Sequence, residues 1–258
     1  MQYVIGKYAS KVKLHQKTQE CMAKASVSVS SLFQDFLSLL FPEECRACHG
    51  ELAIGEDVIC SHCRIKLPYT DFHLSPQDNA LHRVFWGRVP IQLAVSYLMF
   101  QERSRVQQLL HQLKYRGREE VGEVLGRWYG AQLQQQKAFK EIDLVVPVPL
   151  YKAKLQQRGY NQVSAFGREI ASALQVPFEE AVLKKGRSGK TQTKKNRQER
   201  WEAMRQLYLV SQPEVIEGKH VLLLDDVVTT GATLEACATL LLANGAKAVS
   251  IATIAYTL

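Results

Sequence analysis

Apolar positions recur along the chain with two different periods. Phe33, Phe36, Leu37 and Leu40 stand at helical spacing and Pro42 closes the stripe, which predicts a short amphipathic helix with a core-facing side. Residues 64–90 carry Pro68, Pro76 and Pro90 without a sustained period and read as loop. From residue 91 the pattern is regular. "IQLAVSYLMF" (91–100) predicts a strand, "RSRVQQLLHQLKYRG" a helix closed by Gly117, and "EEVGEVLGRWYGAQLQQQ" a second helix. "DLVVPVPL" (143–150) is a β-branched run, as expected of a buried strand, and 161–174 predicts a helix. "RQLYLV" (205–210) and "HVLLLDDVV" (220–228) predict strands, "GATLEACATLLLANGA" a helix stopped at Asn244 and Gly245, and "KAVSIATIAYT" a last strand. Strands alternating with helices predict an α/β fold over 91–258, a mostly parallel sheet with helices on both faces.

Composition adds limits. The chain has 258 residues, 46% apolar and 22% charged, the balance of a soluble globular protein able to bury a core without staples. A net charge of +8 favours anionic partners without choosing among phosphorylated metabolites, nucleic acid and acidic membrane surfaces. No run of about 18 apolar residues exists to span a bilayer, and the N-terminus lacks the apolar block of a signal peptide. A cytoplasmic location is the expectation. The expected organisation is an N-terminal extension (1–31), an amphipathic helix with a cysteine module (32–90) and the α/β domain (91–258).

The cysteine module reads "CRACHGELAIGEDVICSHC". Cys45 and Cys48 form one Cys-x-x-Cys pair, Cys60 and Cys63 another. Two such knuckles let four sulfurs surround one zinc ion, and four thiolates leave no open position for a catalytic water. The expected role of the zinc is therefore structural. A redox pair or unliganded thiols are the alternatives. Gly50 and Gly55 suit the tight turns of such a ribbon, and His49 and His62 are expected to face solvent.

The most informative stretch is "VLLLDDVVTTGAT" (221–233). An apolar strand ends in Asp225 and Asp226, and a short turn with Thr229, Thr230, Gly231, Ala232 and Thr233 leads into a helix. Ligands of open α/β sheets sit at the carboxyl ends of strands. Threonine hydroxyls and free N–H groups at a helix start make a monophosphate cradle. Carboxylates beside such a cradle suit the neutral part of the same ligand, with ribose hydroxyls donating to acceptor-only side chains. The rival is a nucleotide-binding P-loop at Gly189-Lys190-Thr191. That motif requires Gly five residues before its Gly-Lys, where this chain has Lys184, and "QTKKNRQER" after it has no apolar stripe to make a helix. The stretch 184–200, with eight basic residues among 17, reads instead as an anion-binding arm.

These residues resemble the ribose-phosphate signature of type I phosphoribosyltransferases. The resemblance implies that Asp225 and Asp226 hold the ribose of 5-phosphoribosyl 1-diphosphate with magnesium, that Thr229–Thr233 hold its 5′-phosphate, and that 184–200 folds over the diphosphate. "DLVVPVPLYKAKLQQRGYNQ" (143–162) resembles the region around the diphosphate loop, with Arg158, Gly159, Tyr160 and Asn161 in an Arg-Gly-Tyr-Asn-Gln signature. "HQLKYRG" (111–117) and the preceding knuckles complete a pattern similar to the ComF family. That resemblance covers about residues 32–258 and implies a link to natural competence and the handling of incoming single-stranded DNA. Three functions follow as expectations. One is a phosphoribosyltransferase in which magnesium, Arg158 and loop lysines take the growing diphosphate charge. Another is a sensor of the same ligand without turnover. The third is a single-strand nucleic-acid handler with Tyr115, Tyr151 and Tyr160 as stacking candidates.

Overall fold

The apolar runs at 94–99, 144–147, 220–228 and 248–256 come together in one sheet. The protein, described by a computed structural model over residues 43–186 and 207–257, divides after Glu43, and Glu44–Leu258 forms one compact unit. Its elements are α1 (Ser61–Ile65), α2 (Ala80–Arg83), β1 (Ala94–Met99), α3 (Arg105–Tyr115), α4 (Glu119–Gln134), β2 (Leu144–Pro147), α5 (Lys152–Arg158), α6 (Ser164–Leu174), β3 (Leu183–Lys185), β4 (Tyr208–Val210), α7 (Pro213–Ile216), β5 (His220–Val228), α8 (Ala232–Ala243) and β6 (Ala248–Tyr256). The helix predicted around 33–40 lies outside the described residues.

The main sheet has the order β1-β6-β5-β2 and every pair in it is parallel, while β3 and β4 make a separate antiparallel pair. The α/β expectation is borne out. Strand alternation sends residues of one parity to each face. Val95, Val145, Leu222, Leu224 and Ile254 join a core with α3, α4 and α6. Leu144, Val146, Val221, Leu223 and Ile251 join the opposite core with α8 and with Leu81 and Phe85. Helices therefore cover both faces.

Residues 64–90 are not all loop, as expected above. A one-turn 3₁₀ segment at Phe72–Leu74 and the short α2 break them up. Asn79 caps α2 by accepting from the His82 N–H, and its amide donates to the Ser75 and Ala94 carbonyls, which ties this segment to β1. Such pieces are too short to show a helical period.

The chain after β2 leads into α6 on one face, and the chain after β5 leads into α8 on the other. Between the carboxyl ends of β2 and β5 the connections thus diverge to opposite faces, which opens a crevice where ligands of such sheets bind. The β2–β5 pairing runs from Leu144↔Val221 to Pro147↔Leu224 and then stops. Asp225 is the next residue on β5, so the acidic pair stands where the two strands part.

Candidate functional site

Asp225 and Asp226 occupy successive positions of a strand, so they turn to opposite faces of the sheet. Each carboxylate also accepts the backbone N–H of the next residue, Asp226 N–H to Asp225 Oδ1 (2.8 Å) and Val227 N–H to Asp226 Oδ1 (2.7 Å). Asp226 is buried on the α3/α6 side. Its Oδ2 meets Lys114 Nζ at 2.6 Å and accepts from Gln162 Nε2 at 2.9 Å. Asp225 faces the α8 side, in the electrostatic neighbourhood of Lys185 and Cys237. Burial, and then the neighbouring Asp226 charge, push the Asp225 carboxyl up to about 8. Burial likewise pushes the Cys237 thiol up and the Lys185 ammonium down. Lys185 Nζ lies 3.9 Å from the Tyr151 ring centroid and 4.8 Å from that of Tyr208, so two aromatic faces hold this cation beside the crevice.

The Arg-Gly-Tyr-Asn-Gln stretch explains itself as a set of ties. Gly159 ends α5 in the left-handed conformation at φ 84°, which glycine adopts without a Cβ penalty. Tyr160 donates its hydroxyl to the Leu113 carbonyl at the end of α3. Asn161 Nδ2 donates to the Val148 carbonyl (3.0 Å), holding the exit of β2. Gln162 accepts from Arg158 and donates to Asp226. Arg158 therefore reaches the acidic pair through Gln162.

Thr229 and Thr230 are exposed at the tip of the following loop. Gly231 caps α8 with φ 72°, and its place is also tight: a Cβ there would lie 2.9 Å from Val84 and 3.0 Å from Phe85. Thr230 Oγ1 accepts from the Ala232 N–H (3.4 Å). The predicted cradle residues thus stand together at the start of a twelve-residue helix. Arg88 braces the loop from outside. It donates to the Thr230 carbonyl (2.9 Å) and the Val84 carbonyl (3.0 Å), and pairs with Glu235 on the first turn of α8.

The four module cysteines converge, with all Sγ atoms within 4.8 Å of one another. Four sulfurs about 2.3 Å from a common centre stand about 3.8 Å apart in a tetrahedron, and Cys48 and Cys60 are 3.9 Å apart. The donor set therefore fits zinc and could hold it. Cys60 accepts from the Cys63 N–H (3.4 Å), and Cys45 from the Cys60 N–H (3.3 Å), the N–H···S support a thiolate uses. Burial works against ionisation of Cys45, but N–H donors from Cys60, Ala47 and Cys48 outweigh it and bring its thiol down to about 7. His49 and His62 face solvent as expected. Gly55 makes a left-handed turn, but His49 at φ 61°, not Gly50, supplies the other. The module is not insulated from the sheet: Cys45, Ala47, Ile59, Cys63 and Leu67 belong to the same core as β1, α3 and α4. Arg64 stacks 4.4 Å over the Trp128 ring of α4.

Gln162 belongs to the Arg-Gly-Tyr-Asn-Gln signature and Lys185 to the basic stretch 184–200, whereas neither Lys114 nor Arg88 has an individual role in the sequence reading. The signal for Lys114 is its place in "HQLKYRG" (111–117), one of the stretches that carry the ComF resemblance. The arm residues from 187 to 200, including Lys190, lie outside the described residues.

The profile of the phosphoribosyl transferase domain matches residues 164–258. The DNA utilization protein YhgH of Escherichia coli K12 is 29% identical over 224 residues, covering 83% of this chain and 96% of that protein. The competence protein ComFC of Bacillus subtilis is 27% identical over 210 residues, covering 76% of this chain and 82% of that protein. The ComF resemblance is borne out. Competence protein F of Haemophilus influenzae is a further relative, 23% identical over 231 residues and matched over 96% of its length. Among solved structures, the glutamine phosphoribosylpyrophosphate amidotransferase of B. subtilis superposes with a TM-score of 0.40 at 24% identity. It covers 55% of this chain, which spans 30% of the enzyme's length. Among the described residues no helix is long and apolar enough to cross a membrane.

Proposed function

We propose that the ComF-like chain is a cytoplasmic phosphoribosyltransferase-like protein that binds 5-phosphoribosyl 1-diphosphate with magnesium in the crevice between β2 and β5. The observation that carries this reading is the direct succession, at the point where β2 and β5 part, of two carboxylates and a threonine-glycine loop that opens α8. Thr229, Thr230, Gly231, Ala232 and Thr233 hold the 5′-phosphate with hydroxyls and helix-start N–H groups. Asp225 and Asp226 accept from the ribose hydroxyls. Carboxylate oxygens joined by ligand phosphates are the donor set magnesium uses, and it would neutralise diphosphate charge there. Arg158 stands by to take charge that develops on a departing diphosphate.

Replacing Asp225 and Asp226 together by Asn removes the charged Asp226 acceptor, worth roughly 1.5–3 kcal/mol, and the Asp225 carboxyl, which ionises only when a cation or ligand offsets its raised proton affinity. Calorimetric titration should show binding of the magnesium complex to the wild type and none to the folded double variant. Equal affinity in both would remove the reading. Release of diphosphate against a panel of bases then separates turnover from sensing.

A second reading, single-stranded nucleic acid, is favoured by one observation besides the names of the relatives. Tyr115 is 69% exposed, and the Arg158 guanidinium lies 5.7 Å from its ring centroid, a stacking face beside a phosphate-binding cation.

A further inference from the structure

Beside the acidic pair lies a cavity of about 190 Å³ lined by Lys114, Tyr115, Gly117, Lys154, Gln157 and Arg158. Three of these six residues are cations and none is acidic, so the cavity suits a compact polyanion. Lys114 forms the wall between the cavity and the carboxylates. Its Nζ is on Asp226, 2.6 Å from Oδ2, and the same residue lines the cavity. A lysine has three donors on a flexible four-carbon stem, so it can change partners with little movement of its backbone. The opposite wall is α5, which has no buried residue and ends at the left-handed Gly159. A helix that buries no side chain fully belongs to the low-stability end of a fold and can shift toward a ligand.

We propose that Lys114 is an exchangeable cation. In the free protein it neutralises Asp226. When a diphosphate group enters the cavity, Lys114 moves onto it together with Lys154 and Arg158, and releases Asp226 Oδ2 for a ribose hydroxyl or a divalent cation. The cavity is thus the diphosphate seat, and loading it primes the acidic pair. The identity of the complete ligand rests on the function proposed above. The seat and the exchange rest on the cavity and the Lys114–Asp226 contact alone.

The test uses the full chain with three probes: inorganic diphosphate, Mn²⁺ alone, and the magnesium complex of 5-phosphoribosyl 1-diphosphate. Lys114→Gln should weaken diphosphate by at least about tenfold, the scale of one lost charge-assisted contact. The same change should tighten Mn²⁺ by about tenfold, because the carboxylate loses its resident cation. A role confined to stability would weaken both. Lys114→Arg, which keeps the charge, should bind diphosphate within about threefold of the wild type. Should Lys114→Gln fail to fold, Lys154→Gln on the uncommitted α5 serves: diphosphate weakens severalfold and Mn²⁺ is unmoved. Wild-type protein that ignores diphosphate, a Lys114→Gln variant with unchanged diphosphate affinity, or one with unchanged or weaker Mn²⁺ binding overturns the proposal. If both shifts appear but the sugar diphosphate does not bind, the exchange stands and the function proposed above falls.

Discussion

Gly122, Gly126 and Gly130 lie four residues apart on α4, on the face packed against α6. Replacing each by Ala should give three different results, although the helix propensity gain, about 0.8–1.0 kcal/mol, is common to all. At Gly126 a Cβ would stand 2.6 Å from the Phe166 carbonyl oxygen, 2.8 Å from Glu169 Cβ and 3.0 Å from Phe166 Cα. Two of these atoms are backbone, so the helices must separate, and overpacking of that kind costs about 1–3 kcal/mol and at times more. With two backbone atoms in the clash, its cost should lie in the upper part of that range and outweigh the propensity gain, leaving Gly126→Ala less stable by up to about 2 kcal/mol. At Gly122 the nearest atoms are at 3.2 Å, a contact that small shifts relieve, so the two effects should nearly cancel. Gly130 falls between, with Ala173 Cβ at 2.8 Å as its one severe neighbour. Urea denaturation of the three variants against the wild type tests the ranking. A Gly126→Ala protein as stable as the wild type, or a Gly122→Ala protein hurt more, would refute the reasoning. Because α6 begins just after Gln162, the Gly126 variant should also bind ligand more weakly through displacement of the Gln162–Asp226 bond.

Other predictions follow from the cysteine module, the buried histidines and the Arg88 brace on the Thr229–Gly231 loop. Cys60→Ser should lose the bound metal and expose the module to protease; metal analysis that finds no zinc in wild-type protein purified without chelator removes the zinc reading. Burial lowers the proton affinity of His73 and His220, while the unfolded chain takes up protons near pH 6.5. Their contribution to stability is therefore complete above about pH 6.5 and is lost as the pH falls below it through the depressed folded values. The denaturation midpoint should drop between pH 7.5 and 5.5, and His220→Gln, which can still bond Ser250, should flatten that slope; equal slopes would count against the assignment. Arg88→Ala frees the Thr230 carbonyl, so phosphate-bearing ligands should bind severalfold more weakly while Arg88→Lys recovers part of the loss; unchanged affinity in the Ala variant would mean that the brace does not shape the cradle.

Strand β5 was legible because a run apolar on both faces leads up to two carboxylates, the pattern of a buried parallel strand near its carboxyl end. The helices α3, α4 and α8 were legible from their spacing and stops. Helix α5 was not, because a helix that buries nothing carries no apolar period to read. The cysteine cluster followed from spacing alone, since two Cys-x-x-Cys pairs have few other uses. Asp225 and Asp226 lie on the strand that the pattern predicts, but a linear pattern reads them as one unit and does not display their division between the two faces of the sheet. The partners of that pair were hidden for a different reason. Lys114 and Gln162 reach Asp226 across long stretches of chain, and the same holds for Arg88 and Glu235. Contacts of that kind depend on how helices are laid over the sheet, which no local pattern encodes.

The shared core of the cysteine module and the sheet has a thermodynamic consequence. A metal bound by the folded protein and not by the unfolded chain stabilises everything that unfolds with its site. Cys45 and Cys63 pack in the same core as β1 and α4, so that stabilisation extends to the sheet and the helices packed on it. Zinc supply in the cell would then set how much of this protein is folded, not merely how much of it is metallated. The indole of Trp128, under the Arg64 guanidinium of the second knuckle, sits where that coupling can be followed by light.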